Sequence, residues 1–300
     1  MKAAGIAMAA FAAVTYAQNA NNITYLALGD SVSFGMNVTL LPPYAPPSPQ
    51  PAPSQFIGYP EALADLQGWD ATRLVDGSCP GETSGSFLNS SLPDNGCNSV
   101  HVVLPPLGSI LPPVIIPPFK TAYGLHTKYS GPQMQFALDQ LNANKMIRLV
   151  TLSIGANDVL LVLPAIALCG GVTACVNAVL TPALDLYAVN LGAILAKIRE
   201  VYRGPLVLLT YYSPDPSLDG IAQMLNAVMT RVGSRFPRIA IADGYAAFHA
   251  VSAAFGDSAC QAGLLIKLPP SPYNSFPCDI HPSPQGRVLL AAAVKSTLPH

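Results

Sequence analysis

A serine, a histidine and an aspartate in this sequence have the residue types and the flanks that nucleophilic catalysis requires. Ser31 follows the apolar stretch Tyr25–Leu28 and Gly29, a residue that permits a tight turn. Near the other end of the chain, Asp279 and His281 stand on a predicted short loop before the last helix. Serine is a weak nucleophile until a base takes its proton and a third group orients that base. Ser31, His281 and Asp279 are therefore the candidates for these three roles.

Two further residues could stabilise the negative charge that such a reaction places on an oxygen atom. Asn157 lies in the stretch LSIGANDV, Leu152 to Val159, at the end of a predicted strand, and its side-chain amide can donate a hydrogen bond. Gly81 lies in GSCPGETSG, Gly77 to Gly85, after another predicted strand, where it could turn a backbone N–H to the same point. Donors held ready for a developing oxyanion are a main source of rate enhancement in acyl transfer.

These residues need a scaffold that brings distant parts of the chain together. Strand-like runs alternate with helix-like runs, which is the pattern of a parallel sheet covered by helices. In such folds the sites lie at the carboxyl ends of the strands, where Ser31, Gly81 and Asn157 are predicted to stand. We therefore expect a three-layer α/β domain with a mainly parallel sheet of about five strands. The predicted strands are Thr24–Leu28, Thr72–Val75, Arg148–Ile154, Leu206–Tyr211 and Ile239–Ala242.

The helices are predicted from capping signals and from apolar residues at helical spacing. Ser130 and Gln133 have the spacing of a capping box, which predicts a helix from Pro132 to about Asn142. The pair Thr181–Pro182 predicts a second start, with a helix to about Tyr202, because proline at the first helical position loses no hydrogen bond. Two further helices are predicted at Leu218–Arg235 and Pro284–Thr297.

Four short blocks follow one another in chain order: Gly29-Asp30-Ser31-Val32-Ser33, Gly81, Gly155-Ala156-Asn157-Asp158 and Asp279-Ile280-His281-Pro282. At these blocks the chain resembles the SGNH, or GDSL, hydrolases, and the resemblance spans residues 24–297. The resemblance implies a flavodoxin-like strand order of 2-1-3-4-5 and ester hydrolysis through an acyl-enzyme on Ser31, with no metal and no organic cofactor.

The resemblance also implies a role for each matching residue. Ser31 is the nucleophile and His281 the general base, and the oxyanion hole consists of the Ser31 N–H, the Gly81 N–H and the Asn157 side chain. Asp30 is a structural neighbour of the nucleophile and not the acid of the triad. In isolation, Ser31 could also be read as a helix N-cap, which is a common role for serine after a strand.

One position departs from the family pattern. The family usually has its acid three residues before the histidine, where this chain has Cys278, whereas Asp279 is two residues before it. On an extended segment, a shift of one residue turns a side chain to the opposite face. Asp279 remains the expected partner because it is the nearest carboxylate. A backbone carbonyl, Asp243 and Asp257 are the alternatives.

Composition limits the class of protein. The chain has 300 residues, a formal charge of −1 and 10% charged residues, so it lacks the clustered lysine and arginine that nucleic-acid binding needs. Residues 1–17 have one lysine, an apolar stretch and small residues at the end, which predicts a secretory signal peptide. We expect residues 18–300 to be a single secreted domain and a monomer.

The cysteines fit an oxidising compartment. Their number is even, and pairing each with its neighbour closes the shortest loops, which predicts the disulfides Cys79–Cys97, Cys169–Cys175 and Cys260–Cys278. A metal site is the alternative, although the sequence has no Cys-x-x-Cys pair.

Two apolar segments bear on the substrate. Val102–Phe119 is broken by proline pairs, so we expect an apolar loop that either covers the domain or meets lipid or an acyl chain. Val159–Leu168 begins beside Asn157 and is either a buried helix or the wall of a pocket. We expect a lipid-like or acyl ester as substrate and transient contact with a lipid surface. A carbohydrate acetylesterase or small-ester esterase is the alternative within the fold, and a secreted binding protein without activity is the alternative of another class.

His101, His126 and His249 are expected to be hydrogen-bonded or surface histidines.

Overall fold

A computed structural model describes residues 23–41, 50–103, 113–270 and 277–299. The predicted signal peptide, residues 1–17, lies outside the described residues, as does most of the proline-rich segment that follows Leu41. The strands are β1 Tyr25–Gly29, β2 Leu74–Asp76, β3 His101–Val103, β4 Val114–Ile116, β5 Leu149–Ser153, β6 Leu206–Leu209, β7 Ile239–Ala242, β8 Leu265–Lys267 and β9 Cys278–Pro282.

Five of these strands form one parallel sheet in the order β2-β1-β5-β6-β7. Counted within the sheet, this is the expected order 2-1-3-4-5, and all five predicted strands are confirmed. Residues of β1, β5 and β6 are buried throughout, because helices cover both faces of the sheet. Tyr25 pairs with Leu149 and Gly29 with Ser153, so β1 and β5 end at the same edge.

Two groups of helices make the outer layers of the three-layer fold. In one group α2 packs on α11 and α11 on α10, and in the other α3, α5 and α9 pack on α8. The helices are α1 Ser31–Phe34, α2 Tyr59–Gln67, α3 Ser84–Leu88, α4 Phe119–Ala122, α5 Gln133–Ala143, α6 Ala156–Leu160, α7 Leu163–Ala167, α8 Thr173–Val201, α9 Asp219–Gly233, α10 Gly244–Ser252 and α11 Pro284–Lys295.

One predicted capping box and one predicted helix start are wrong. The N-cap of α5 is Pro132, with no capping side chain, and Gln133 turns inward to the end of β1. Helix α8 begins at Thr173, so Pro182 lies in its interior. The proline costs the helix one hydrogen bond, which burial of the flanking Leu180 and Leu184 offsets.

By length and composition only, helix α8 is long and apolar enough to cross a membrane. The core helix of a soluble domain can have the same length and composition. In this structure its inner face packs on α3, α5 and α9. Tyr187 is fully buried there, and its hydroxyl donates to the Ile154 carbonyl at 2.9 Å. Helix α8 is therefore part of one outer layer of the domain.

Two hairpins lie outside the main sheet. Near the two ends of the segment Val102–Phe119, strands β3 and β4 pair in antiparallel fashion. The prediction of a loop is therefore wrong in these parts, because backbone N–H and C=O groups are satisfied there by strand pairing. Residues 104–112 lie outside the described residues. Strands β8 and β9 form the second antiparallel pair, directly before α11.

All three predicted disulfides are confirmed: Cys79–Cys97, Cys169–Cys175 and Cys260–Cys278. No free cysteine remains, so the alternative of a cysteine metal site is wrong.

Candidate active site

Ser31 is the first residue of α1, directly beyond the end of β1, and is half-buried. The N-cap of this helix is Asp30, whose Oδ1 accepts the Val32 N–H at 3.0 Å. The reading of Ser31 as the N-cap is therefore wrong. The capping role belongs to its neighbour, which leaves the Ser31 hydroxyl outside the cap.

Gly29 makes the turn that places Ser31 at the sheet edge. Its φ is 137°, and a Cβ there would lie 2.1 Å from the carbonyl oxygen of Ser153 on β5, so no side chain fits. The Gln133 side chain holds this turn from the other side: it accepts the Gly29 N–H at 2.6 Å and donates to the Gly29 carbonyl at 2.9 Å. Sequence reasoning assigned Gln133 to a capping box and missed this contact, because it joins residues 104 positions apart.

His281 and Asp279 form a direct pair, with 2.6 Å between His281 Nδ1 and Asp279 Oδ2. Both residues lie on β9, so the expected short loop is wrong. Residues two apart on a strand point to the same face, and this places the carboxylate beside the imidazole. Pairing with β8 is irregular at this point, because Leu265 pairs with Pro282 but Lys267 pairs with Cys278. A β-bulge of this kind re-aims side chains next to active sites.

The pair also shifts the proton affinity of both groups. Burial opposes ionisation of Asp279, but the adjacent His281 and backbone N–H groups hold the pKa of Asp279 below its usual value. Burial likewise opposes protonation of His281, yet the charge and hydrogen bond of Asp279, with a smaller effect of Asp30, raise the pKa of His281 above its usual value. The arrangement stabilises an imidazolium, which is the state a general base reaches after it takes a proton.

Two tyrosines in the segment that follows β6 support the site. The Tyr211 hydroxyl donates to Asp30 Oδ2, and the Tyr212 hydroxyl donates to the Ile280 carbonyl at 2.6 Å. Burial raises the pKa of Asp30 to about 6, although the bonds from Tyr211 and Val32 favour its ionised form. Asp30 thus serves as a buried structural acid that does not contact the imidazole by a hydrogen bond.

The two candidate oxyanion donors, Gly81 and Asn157, are joined through Asn95. Gly81 has a φ of 83°, and its carbonyl accepts the Asn95 N–H at 2.8 Å. The Asn95 side chain donates to Asn157 Oδ1 at 3.0 Å, and Asn157 Nδ2 donates to the Glu82 carbonyl at 3.0 Å. These bonds fix the Asn157 amide and use one of its two N–H groups. Asn95 has no motif around it, and its role is visible only in three dimensions.

The loops that carry these donors are tied together by a second contact. Asp158 on α6 accepts the Ser84 N–H at 2.9 Å and the Ser84 hydroxyl at 2.5 Å. Burial raises the pKa of Asp158 to about 6, whereas the bonds from Ser84 favour its charged form. Asp158, the residue after Asn157, therefore connects α6 to α3, the helix that follows Gly81.

Ser31 and His281 line two cavities that meet at this point. The large cavity, about 800 Å³, has mainly apolar walls from α6, α7, α8 and α9, and the small cavity, about 600 Å³, has a mixed wall that includes Gly81 and His101. Both predicted apolar segments contribute: Leu163 and Ile166 line the large cavity, and Ile116 and Phe119 line the small one. The residues that line both cavities are Ser31, Asn157, Leu160, Ile280 and His281.

The alternative acids lie elsewhere. Asp243 caps α10 by accepting the Ala246 N–H at 2.9 Å, and Asp257 pairs at 3.4 Å with the exposed His249. His126 contacts the Phe34 carbonyl through Nε2 at 3.0 Å. Within the described residues, Ser31 Oγ and His281 Nε2 are not hydrogen-bonded to each other. Such bonds are often long before substrate binds and tighten in the reacting complex.

Comparison with solved structures identifies proteins of similar fold. An extracellular lipase from Streptomyces rimosus has a TM-score of 0.53 and 17% identity, covering 92% of this chain and 100% of its own. A phospholipase A1 from Streptomyces albidoflavus has a TM-score of 0.52 and 17% identity, with the same coverages of 92% and 100%. A lipase from a goat rumen metagenome has a TM-score of 0.50 and 16% identity, covering 92% and 97%.

No protein-family model and no curated protein matches the sequence. At identities of 16–17%, the structural similarity establishes a common fold. The fold expected from the resemblance is thereby confirmed.

Proposed function

We propose that this chain is a secreted serine ester hydrolase of the SGNH type that cleaves acyl or lipid-like carboxylic esters. The observation that carries the proposal is the meeting of five residues around the small cavity, three of which also line the large one. Ser31, the pair Asp279–His281 and the donors Gly81 and Asn157 come from four separate parts of the chain. The similarity in fold to solved lipases and a phospholipase supports the same reaction class.

In the proposed reaction, the Ser31 hydroxyl attacks the ester carbonyl carbon while His281 Nε2 accepts the hydroxyl proton. The oxygen of the tetrahedral intermediate receives hydrogen bonds from the Ser31 N–H, the Gly81 N–H and the Asn157 side chain. His281 then gives its proton to the departing alcohol, and the acyl group remains bound to Ser31. Water attacks this acyl-enzyme in the second half of the reaction, again with His281 as base.

The two cavities suggest how the ester is divided. The large cavity suits the acyl chain, because its walls are mainly apolar and its volume of about 800 Å³ exceeds that of a small acid. The small cavity suits the alcohol, because it combines apolar walls with the polar groups of Thr39, Asn95 and His101. Burial of each CH₂ group contributes roughly 0.8 kcal/mol, so chain length is read mainly by the large cavity.

Contact with a lipid surface is also proposed. No charged residue occurs between Val159 and Leu184, the segment that forms one side of the large cavity. Leu168 at its tip is 90% exposed and Val172 is 59% exposed. Secretion, proposed from residues 1–17, agrees with three disulfides in the described domain. A monomer without nucleic-acid partners remains the expected form.

A series of p-nitrophenyl esters from acetate to palmitate, with the oxidised protein, tests the proposal. We expect kcat/KM to peak at middle or long chains. Four buried CH₂ groups correspond to roughly 3 kcal/mol before ordering costs, or about 100-fold between octanoate and acetate. A peak at acetate with a steep fall beyond butyrate would contradict the lipid-like substrate and favour a carbohydrate or small-ester esterase.

A pair of matched variants locates the acyl chain. Leu163→Trp places a large ring in the wall of the large cavity, so the preference for octanoate over acetate should fall at least tenfold. Leu168→Trp makes the same change five positions on, at a side chain that lines neither cavity, and should keep the preference. Equal effects of the two variants would contradict an acyl chain in the large cavity.

A further inference from the structure

A second cluster of polar side chains lies beside Phe34, the last residue of α1. It consists of Glu61 on α2, Asp76 on β2 and His126, which follows α4. One ligand atom of each residue lies within 4.8 Å of the others, and His126 Nε2 is 3.9 Å from Glu61 Oε1. The sequence gives no hint of this cluster, because its members are many residues apart.

Asp76 leaves one carboxylate oxygen without a partner. Its side chain is 97% buried, and Oδ1 accepts both the N–H and the hydroxyl of Ser78, at 2.7 and 2.5 Å. Oδ2 is buried and makes no hydrogen bond with the described residues. A buried carboxylate oxygen without a partner is costly, so this atom calls for a ligand or a proton.

Glu61 adds a second acid to the same place. Its Oε2 accepts the Gly58 N–H at 2.8 Å at the start of α2, which leaves Oε1 directed to His126. Burial and the neighbouring Asp76 raise the pKa of Glu61 to about 7, although His126 acts in the opposite sense. Among the described residues, the ion pairs include no lysine or arginine at either carboxylate. The negative charge of the pair is thus balanced by one histidine at most.

We propose that Glu61, Asp76 and His126 form a binding site for one divalent cation of the zinc or manganese kind. Two carboxylate oxygens and one imidazole nitrogen are a donor set for such ions, whereas magnesium and calcium prefer oxygen alone. A cation would supply the missing partner of Asp76 Oδ2 and neutralise the two acids. The inference is independent of the proposed ester hydrolysis.

Cation binding requires the three ligand atoms, which lie within 4.8 Å of one another, to move closer together. Metal–ligand bonds of about 2.1 Å with tetrahedral angles place ligand atoms about 3.4 Å apart, compared with 3.9 Å between His126 Nε2 and Glu61 Oε1. His126 Nε2 is also 3.0 Å from the Phe34 carbonyl oxygen. When Nε2 binds the cation, Nδ1 carries the ring proton, and after a shift of the ring the Phe34 carbonyl oxygen is near enough to serve as a fourth ligand.

Binding would join three elements behind α1. Glu61 belongs to α2, Asp76 to the edge strand β2, and the His126 ring packs on the Phe34 ring at 4.6 Å between centroids. Phe34 is the last residue of α1, which begins with Ser31. A bound cation would therefore stabilise the C-terminal end of α1, at Phe34, whereas Ser31 lies at the other end of this helix.

Thermal unfolding of the full chain tests the proposal. Protein treated with chelator and then dialysed is melted alone and with ZnCl₂, MnCl₂ or MgCl₂, and calorimetry counts the ions bound. We expect one zinc or manganese ion per chain and a rise in Tm of about 5 °C near saturation, with little effect of magnesium. Since no free thiol exists, cysteine does not compete for zinc. Absence of both binding and a rise in Tm would overturn the site.

Variants assign the effect to this cluster. Asp76→Asn and His126→Gln should each abolish most of the rise in Tm, and Glu61→Gln serves as a third variant if either fails to fold. His249→Gln is the matched control, because His249 also faces a carboxylate, that of Asp257 at 3.4 Å, but on the exposed surface. The control should keep the full response. A rise in Tm that persists in the folded cluster variants, or that disappears in His249→Gln, would contradict the assignment.

Discussion

Asp279 stands two residues before His281, and this short spacing is suited to a strand. Side chains at positions i and i+2 share one face, so the carboxylate reaches Nδ1 at 2.6 Å. The position three residues before His281 is taken by Cys278, which is buried in a disulfide. The structure favours Asp279 over a backbone carbonyl, Asp243 or Asp257 as the orienting group.

The Asp279→Asn variant should lose activity and change its pH dependence. His281 must be neutral to act as a base, so kcat/KM falls as the pH drops through its pKa. Asp279 raises that pKa, and its removal should move the acidic limb of the profile to lower pH. We expect kcat to fall by about 10³-fold or more, as when a triad acid is replaced by its amide. The measurement is kcat/KM for a p-nitrophenyl ester across pH 5–9.

Asp257→Asn is the control for this experiment, because it removes the carboxylate partner of an exposed histidine far from Ser31. It should leave the profile unchanged. An unshifted acidic limb with nearly full activity in Asp279→Asn would mean that another group orients His281.

At the residue scale, the motifs identified the candidate catalytic residues but not the side chains that hold them in place. Ser31, His281, Asp279, Gly81 and Asn157 stand in short local patterns, and the structure brings them to one place. Gln133 and Tyr211 contact the site across 104 and 181 positions of sequence. No local pattern encodes contacts of that range, so tertiary structure alone identifies them.

The β8–β9 hairpin carries His281, the proposed general base, and its partner Asp279. Cys260–Cys278 closes it immediately before Asp279, whereas Cys169–Cys175 closes the tip between α7 and α8. Loop closure over 18 residues is worth about 3 kcal/mol and over 6 residues about 2 kcal/mol in the chain-entropy model. The two disulfides thus differ little in expected stability but differ in what they position.

Replacing each disulfide by a pair of serines should therefore separate stability from activity. The Cys260→Ser/Cys278→Ser variant should lose at least tenfold in kcat for p-nitrophenyl acetate, because Asp279 and His281 lose their support. The Cys169→Ser/Cys175→Ser variant should keep kcat for acetate. Assays well below either Tm ensure that folded protein is compared. Equal losses of kcat in the two variants would contradict a positioning role of the hairpin.

Among the elements, buried strands were the easiest to predict. The five strands of the sheet are mainly apolar because helices cover both faces, and each was predicted within a few residues. The start of α8 was not, since Pro182 is a strong start signal that packing of Leu180 and Leu184 overrides. The short hairpins have three to five residues per strand and too little periodicity to be read.

The molecule as a whole buries several acids whose proton affinity is raised. Burial lifts the pKa of Glu61 and Glu82 to about 7 and of Asp30 and Asp158 to about 6. An acid with a raised pKa binds more protons when folded, so its stabilising effect is complete below the unfolded value near 4. The effect is lost as the pH rises through the folded value.

Stability should therefore be greatest in mildly acidic solution. We expect a higher Tm at pH 5 than at pH 8, measured by calorimetry with a chelator so that the Glu61 cluster holds no metal. His281, with a raised pKa, acts in the same sense, whereas Asp279, with a lowered pKa, loses its contribution as the pH falls through its folded value. Glu82→Gln should reduce the difference in Tm. A Tm that rises steadily from pH 5 to pH 8 would contradict this prediction.

The pH of greatest stability then differs from that of greatest activity. Catalysis needs neutral His281, and hence a pH above its raised pKa, while the buried acids favour lower pH. A conflict of this kind arises when a site and its supporting network are buried together.

Ser31→Ala and His281→Ala should each remove nearly all activity, because members of such a catalytic unit fail together.

Reaction of the folded, oxidised protein with a fluorophosphonate tests most directly whether Ser31 is an activated nucleophile. We predict one adduct per chain, located by mass spectrometry on the peptide that contains Ser31, and none in Ser31→Ala. His281→Ala should react at least 100-fold more slowly, and unfolded protein should not react. Absence of an adduct on Ser31 in the folded protein would contradict the account and favour a secreted binding protein that has this fold without the chemistry.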